Sequence, residues 1–242
     1  MVEPHLAIAG YLRERREAAR LTRAELARRA SISEGLIQKI EQGTRQPTPA
    51  ALAVLFDALE VPSVFRDYCA AILQPELSTL ANAEPAPTRS ELDFLHSLPH
   101  PACFNIAPAQ DLLAANAAFL RAFPGLRPGG NIMVWMLLDP RARQVVEDWE
   151  RETHVMVQAF RHMAPGFTPP ERIAEITERC SPAAEWDRLW STDIPPIDMA
   201  PRPIRIRPLE GGEWTAMYAH VLRYAYPRRG WGMFSLVPIA PL

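Results

Sequence analysis

The chain of 242 residues carries 26 Lys or Arg against 28 Asp or Glu, for a formal charge of −2, so any affinity for nucleic acid must come from local rather than global charge. Its three cysteines, Cys69, Cys103 and Cys180, are odd in number, far apart and without CxxC spacing, which argues against a disulfide framework and a structural zinc. No stretch approaches the ~18–20 uncharged apolar residues of a membrane span. The N-terminus lacks the basic-then-apolar pattern of a secretory leader, so a cytoplasmic location is expected.

Residues 1–74 read as one helical domain. Leu6, Ile8, Ala9 and Leu12 form an apolar stripe at helical spacing, predicting a first helix over 6–20. Thr22 and Glu25 have the spacing of a capping box, which opens a second helix with Leu26 and Ala27 inward. Ser33 is a good N-cap for a third helix, with Leu36, Ile37 and Ile40 on its buried side and Gly43 suited to a left-handed stop. Thr48 and Pro49 start a fourth helix that turns Leu52, Leu55, Phe56 and Leu59 inward. A fifth begins near Pro62 and carries Val64, Phe65, Tyr68 and Ile72.

These pieces, above all Leu21-Thr22, Glu25-Leu26-Ala27, Ile32-Ser33, Ile37, Ile40-Glu41 and Gly43, resemble the Cro/phage-repressor (XRE-type) helix-turn-helix family over about residues 6–73. The resemblance implies that the third helix enters the major groove of double-stranded DNA. Glu34, Gly35, Gln38 and Lys39 then face base edges. Lys39, the only lysine of the chain, would donate to guanine, and Glu34 would accept from cytosine. Arg23, Thr44 and Arg45 fall at phosphate-contacting positions, and Ser33, the N-cap of the third helix, belongs to the same DNA-binding set. Arg16 and Glu41 match a family pair that ties the first helix to the third. Arg13, Arg15, Arg28 and Arg29 read as a solvated face. Ser31 stands where the family usually has a turn glycine, so some backbone strain is expected there. A homodimer on a palindromic operator follows, because one such module covers a half-site.

Residues 75–92, with Pro75, Pro85 and Pro87 among small residues, read as a linker. In 93–242, strands are expected at 102–107, 111–116, 203–209, 213–226 and 231–239, the last three divided by Gly211-Gly212 and Pro227-Arg228-Arg229-Gly230. Helices are expected at 117–123, in one long stretch from Asp139-Pro140 through Phe160, after Pro170 and from Ser181, and the run 131–138, apolar nearly all round, reads as buried. The whole is a multidomain chain: an all-α five-helix domain followed by an α+β domain with an antiparallel sheet and flanking helices.

Leu113-Ala114-Ala115-Asn116, Asn131 to Leu138 with Asp139-Pro140, Asp148-Trp149 and Glu185-Trp186 with Leu189-Trp190 resemble the PAS-like ligand-binding domain of MmyB-like transcription regulators. That resemblance implies a hydrophobic small molecule, fatty acyl in character, between sheet and helices. Large, soft side chains suited to line such a site are Phe104, Leu113, Phe119, Phe123, Met133, Trp135 and Met136. Phe160, Met163, Trp186, Trp190, Tyr218 and Met233 complete the set, and each also suits plain core packing. No catalytic, phosphate-loop or metal motif is present, so neither an enzyme nor a bound cofactor is expected. Two other readings remain: a protein-interaction scaffold docking a partner on its helical domain, and a haem or redox PAS sensor using His154 or His162. His96 and His100 read as solvated loop residues.

Overall fold

In the computed structural model of the chain, residues 4–62, 65, 66, 69, 86–194, 202–223 and 230–239 are described. Helix α1 (Pro4–Ala18) buries Ile8, Ala9, Tyr11 and Leu12 and stops where Arg20 turns left-handed at φ 54°. Helix α2 (Arg23–Ala30) opens with the expected capping box: the Thr22 hydroxyl accepts from the Glu25 amide, and the Glu25 carboxylate accepts from the Thr22 amide. Those bonds hold the Glu25 carboxyl below its usual range. Between α2 and α3 (Glu34–Glu41), Ser31 sits at φ 54° and ψ 38°, the left-handed conformation expected of a position that usually holds glycine. Ser33 caps α3 by accepting from the Leu36 amide, and Thr48 with Pro49 starts α4 (Pro49–Ala58). Gly43 is left-handed at φ 69°, and a side chain there would collide with Leu6. Phe65, Arg66 and Cys69 are helical; Val64, Tyr68 and Ile72 of the expected fifth helix lie outside the described residues.

The second half begins earlier than the sequence suggests. Thr88 and Glu91 form another capping box and open α5 (Arg89–Ser97), so a helix starts inside the segment read as linker. His96 is accordingly an exposed helical residue rather than part of a loop. Residues 75–85 of that segment lie outside the described residues. Strands β1 (Ala102–Ile106) and β2 (Asp111–Ala115) form a hairpin, and β3 (Ile204–Ile206), β4 (Thr215–Arg223) and β5 (Trp231–Pro238) complete an antiparallel sheet of order β2-β1-β5-β4-β3. The first and last strands pair in the centre, Phe104 opposite Met233, which closes the domain on itself. Residues 224–226 and 227–229, expected to end one strand and turn to the next, lie outside the described residues.

Helices α6 (Ala117–Ala122), α7 (Ile132–Leu138), α8 (Pro140–Val145), α9 (Trp149–Phe167), α10 (Pro170–Cys180) and α11 (Trp186–Ser191) lie between β2 and β3 in sequence. The single long helix expected from Asp139 is broken in two. Val146 is extended and bridges Ile206, the Glu147 amide donates to the Arg205 carbonyl, and the Val145 carbonyl accepts from the Arg207 amide. Backbone groups that a continuous helix would pair internally are taken by β3 instead. Nor does a helix start at Ser181. Its hydroxyl donates backward to the Glu178 carbonyl, a turn follows, and α11 begins at Trp186.

Among the described residues, three cores result in this half. One lies between the sheet and α6 to α8 and contains Cys103, Phe119, Trp135, Val145 and Leu236. A second, farther from the sheet, joins α7, α9, α10 and α11 through Met133, Val157, Phe160, Ile176 and Leu189. A small third core under α5 holds Leu95, Phe104, Ala114 and Met233 on the opposite sheet face. The helical N-terminal core is not separate from the rest: Ala107 and Met163 belong to it.

Candidate DNA-binding and ligand-binding sites

Helix α3 divides cleanly into two faces. Ile37, Ile40 and Glu41 are buried, while Glu34, Gly35, Gln38 and Lys39 are exposed. The residues expected to reach base edges therefore share one solvent-facing surface. A Cβ added to Gly35 would meet nothing within 4 Å, so packing within the chain does not demand glycine there.

What fixes this helix is a buried ion cluster. Arg16 Nε and Nη2 donate to Glu41 Oε1 and Oε2 at 2.6 and 3.0 Å, and a third donor, Arg23 Nε, reaches Oε2 at 2.8 Å. Arg16 is 7% exposed and Glu41 5%. The Glu41 hydrogen bonds raise the Arg16 pKa further above its ordinary value. Arg23, read from sequence as a phosphate contact, thus has its Nε on Glu41, with its side chain about one-third exposed. At the other end of α3, the Lys39 carbonyl accepts from the Thr44 amide, the Thr44 hydroxyl and the Arg45 amide. The one hydroxyl hydrogen of Thr44 is engaged there, whereas the Arg45 side chain is exposed.

Arg15 departs from its expected solvated position. It is 6% exposed and donates to Asp193 Oδ2 at 2.8 Å. Arg13, Arg28 and Arg29 are exposed.

The thirteen side chains proposed to line a ligand site are distributed over the separate cores. Phe119, Phe123, Trp135 and Met136 gather between sheet and helices, with ring centroids 4.8 Å apart for Phe119–Phe123 and 5.9 Å for Phe123–Trp135. Met133, Phe160, Trp186 and Trp190 lie together on the far side of α7. Phe104, Leu113 and Met233 belong to the core under α5, and Met163 to the helical core. Tyr218 is half-exposed on β4.

Sequence reading missed two polar clefts. One, of about 600 Å³, is lined by residues including Arg143, Trp149, His154 and Arg202, and the Arg143 guanidinium stacks 3.5 Å from the Trp149 ring centroid. The other, of about 650 Å³, lies where α1 meets α9. Neither cleft follows a local motif, because each joins residues distant in the chain. His154 is half-buried and bonded to the Thr192 carbonyl, and the His162 side chain is buried against Gln158. Among the described residues, no group of three or more His, Cys, Asp or Glu is placed to hold a metal ion. Among the described residues, too, no helix is long and apolar enough to cross a membrane. The three thiols are buried, and that burial pushes Cys69 and Cys180 up to about 12.

An anchored third helix with a polar, solvent-facing surface, followed by an antiparallel sheet domain with flanking helices, fits a multidomain regulator of the XRE-type helix-turn-helix class. Residues 7–67 match a family model described as a helix-turn-helix domain. Residues 89–226, more than half of the chain, match that of the MmyB-like transcription regulator ligand binding domain, and the chain belongs to this family. It is thus a DNA-binding transcription regulator modulated by a ligand. No curated protein matches it significantly.

Proposed function

We propose that the protein is a cytoplasmic homodimer that binds a palindromic operator and responds to a hydrophobic, fatty acyl ligand, acting as a regulator rather than an enzyme and without a cofactor. The observation that carries the DNA half is the exposed surface of α3 set on a buried Arg16–Glu41 pair. Lys39, Glu34 and Gln38 read base edges, with Gly35 between them. Arg23, Ser33 and Arg45 meet phosphates, and Thr44 holds the turn that presents Arg45.

Lys39→Ala is expected to lose about 1–3 kcal/mol of discrimination, roughly 5- to 150-fold, on a duplex selected in vitro by the wild-type chain. Fluorescence anisotropy on selected and scrambled duplexes measures it. Wild-type affinity should also fall on the order of 10³-fold between about 50 and 200 mM salt, from counterion release at six or so phosphates. Equal loss on both duplexes would remove Lys39 from base reading, and salt-independent binding would point to a protein-docking scaffold instead.

For the ligand, the group Phe119, Phe123, Trp135 and Met136 supports the reading, being apolar and enclosed by sheet and helices. Native mass spectrometry of the purified chain, followed by denaturing extraction, should release an acyl-sized mass that travels with the folded dimer. A monomer, or a polar co-purifying mass, would count against it.

A further inference from the structure

The two halves of the molecule meet through α1, and two consecutive residues of that helix face different domains. Arg16 turns toward the recognition helix and pairs with Glu41. Arg15, about 100° round the helix, turns toward the ligand-binding domain. Its Nη1 donates to Asp193 Oδ2 at 2.8 Å and to the Ile194 carbonyl at 3.4 Å. Both arginines are buried, and so is Glu41, whereas Asp193 stands at the surface with its side chain 37% exposed.

The same face of α1 is held one turn earlier. Tyr11 stacks on Phe65 and meets the His162 ring edge-on, each with centroids 5.2 Å apart. Gln158 donates from Nε2 to the Leu189 and Trp190 carbonyls of α11, which leaves its Oε1 to accept from His162 Nε2 at 3.1 Å. Burial holds the His162 imidazole down to about 4, so it is neutral at physiological pH, and these bonds place its proton on Nε2. Arg161 pairs with Glu14 at 3.0 Å. Helix α11 and the segment after it are thus connected to α1 at both Tyr11 and Arg15.

The contact is not saturated. Arg15 Nε is buried without a hydrogen-bond partner, so the closed arrangement leaves a donor unsatisfied. The cleft of about 650 Å³ beside it, lined by Arg15 and Asp193 among others, gives the pair room to separate.

We propose that α1 is a lever between the domains: movement of α11 and Asp193 in the ligand-binding domain reaches the recognition helix through Arg15–Asp193 on one side of α1 and Arg16–Glu41 on the other. This deepens the ligand-modulated regulator reading and rests on it for its biological meaning, whereas the mechanical link can be tested without DNA.

Asp193→Asn keeps the shape of the side chain and removes its charge. In the full chain, hydrogen exchange is expected to quicken by about 5-fold or more in both α1 and α3. Arg89→Ala, which breaks an exposed pair with Asp93, should leave both unchanged. Arg15→Gln combined with Asp193→Asn should add little to either alone. Exchange changes confined to α1 and the residues around 193, with α3 protection intact, would overturn the lever. On the selected duplex, Asp193→Asn should shift affinity by about 5-fold or more, although Asp193 is not on the reading face. An altered α3 with unchanged affinity would also overturn it. Failure of the wild-type chain to enrich any duplex would sink the regulator reading alone, with the exchange data still deciding the lever.

Discussion

Glu41→Ala should destabilise the protein by about 3–5 kcal/mol, the loss expected when one partner of a buried ion pair is removed. The carboxylate accepts three hydrogen bonds from two arginines, and its side chain is 2% exposed. Without it, Arg16 keeps only the Leu21 carbonyl and the half-exposed Glu17 as acceptors. Against a total stability of about 5–15 kcal/mol, the loss is large enough to read as a shifted urea midpoint in the full chain. The companion experiment separates charge from shape. Arg16→Met with Glu41→Leu removes both charges together and should regain most of the loss, because apolar replacements of a buried pair are often neutral or stabilising. A loss below about 1 kcal/mol for Glu41→Ala would mean that Arg16 escapes to solvent and that α1 and α3 are held by their apolar contacts.

Phe160→Ala distinguishes core from chamber in the ligand-binding domain. Phe160 is fully buried on α9 and packs near Trp190, with centroids 6.4 Å apart. As a packed core residue, its truncation should cost about 3–5 kcal/mol, combining lost transfer energy with an unfilled cavity. Were it the wall of a ligand chamber, much of that space would already be open, and the loss would be small but accompanied by loss of the bound molecule. Thermal unfolding with and without prior extraction separates the two outcomes. The same comparison at Phe123, in the core between sheet and helices, tests the group that best fits an apolar ligand.

Local signals in the sequence were read correctly where the physics is local. The Thr22–Glu25 box, the Ser33 and Thr48 caps and the left-handed Ser31 each depend on a few consecutive residues, and each is present. The five strands were legible from alternation and turns, and the Arg16–Glu41 pair from family spacing. The misreadings have distant causes. The break at Val146 needs Ile206, sixty residues on, to claim its backbone. Ser181 could have capped forward, but its hydroxyl bonds backward to close α10. Arg15 looked solvated because Asp193, its partner, is 178 residues away. Only the Thr88–Glu91 box was available locally and passed over, hidden in a proline-rich stretch. The scatter of the large apolar residues among separate cores is likewise a property of packing, since composition states how much can be buried but not where.

The contact between α1 and α9 also bears on how such a protein can be recombined. Helix-turn-helix units are often treated as interchangeable heads. Here Tyr11 and Arg15 belong to the head by sequence but touch the body, Tyr11 at the His162 ring and Arg15 at Asp193. A head excised at its apparent boundary would lose the Asp193 partner of Arg15 and the His162 contact of Tyr11, and a foreign head grafted onto this body would leave Asp193 and His162 without those counterparts. A working chimera would have to carry the matching face of α1 along with α3, so in this chain the exchangeable unit is set by what α1 touches.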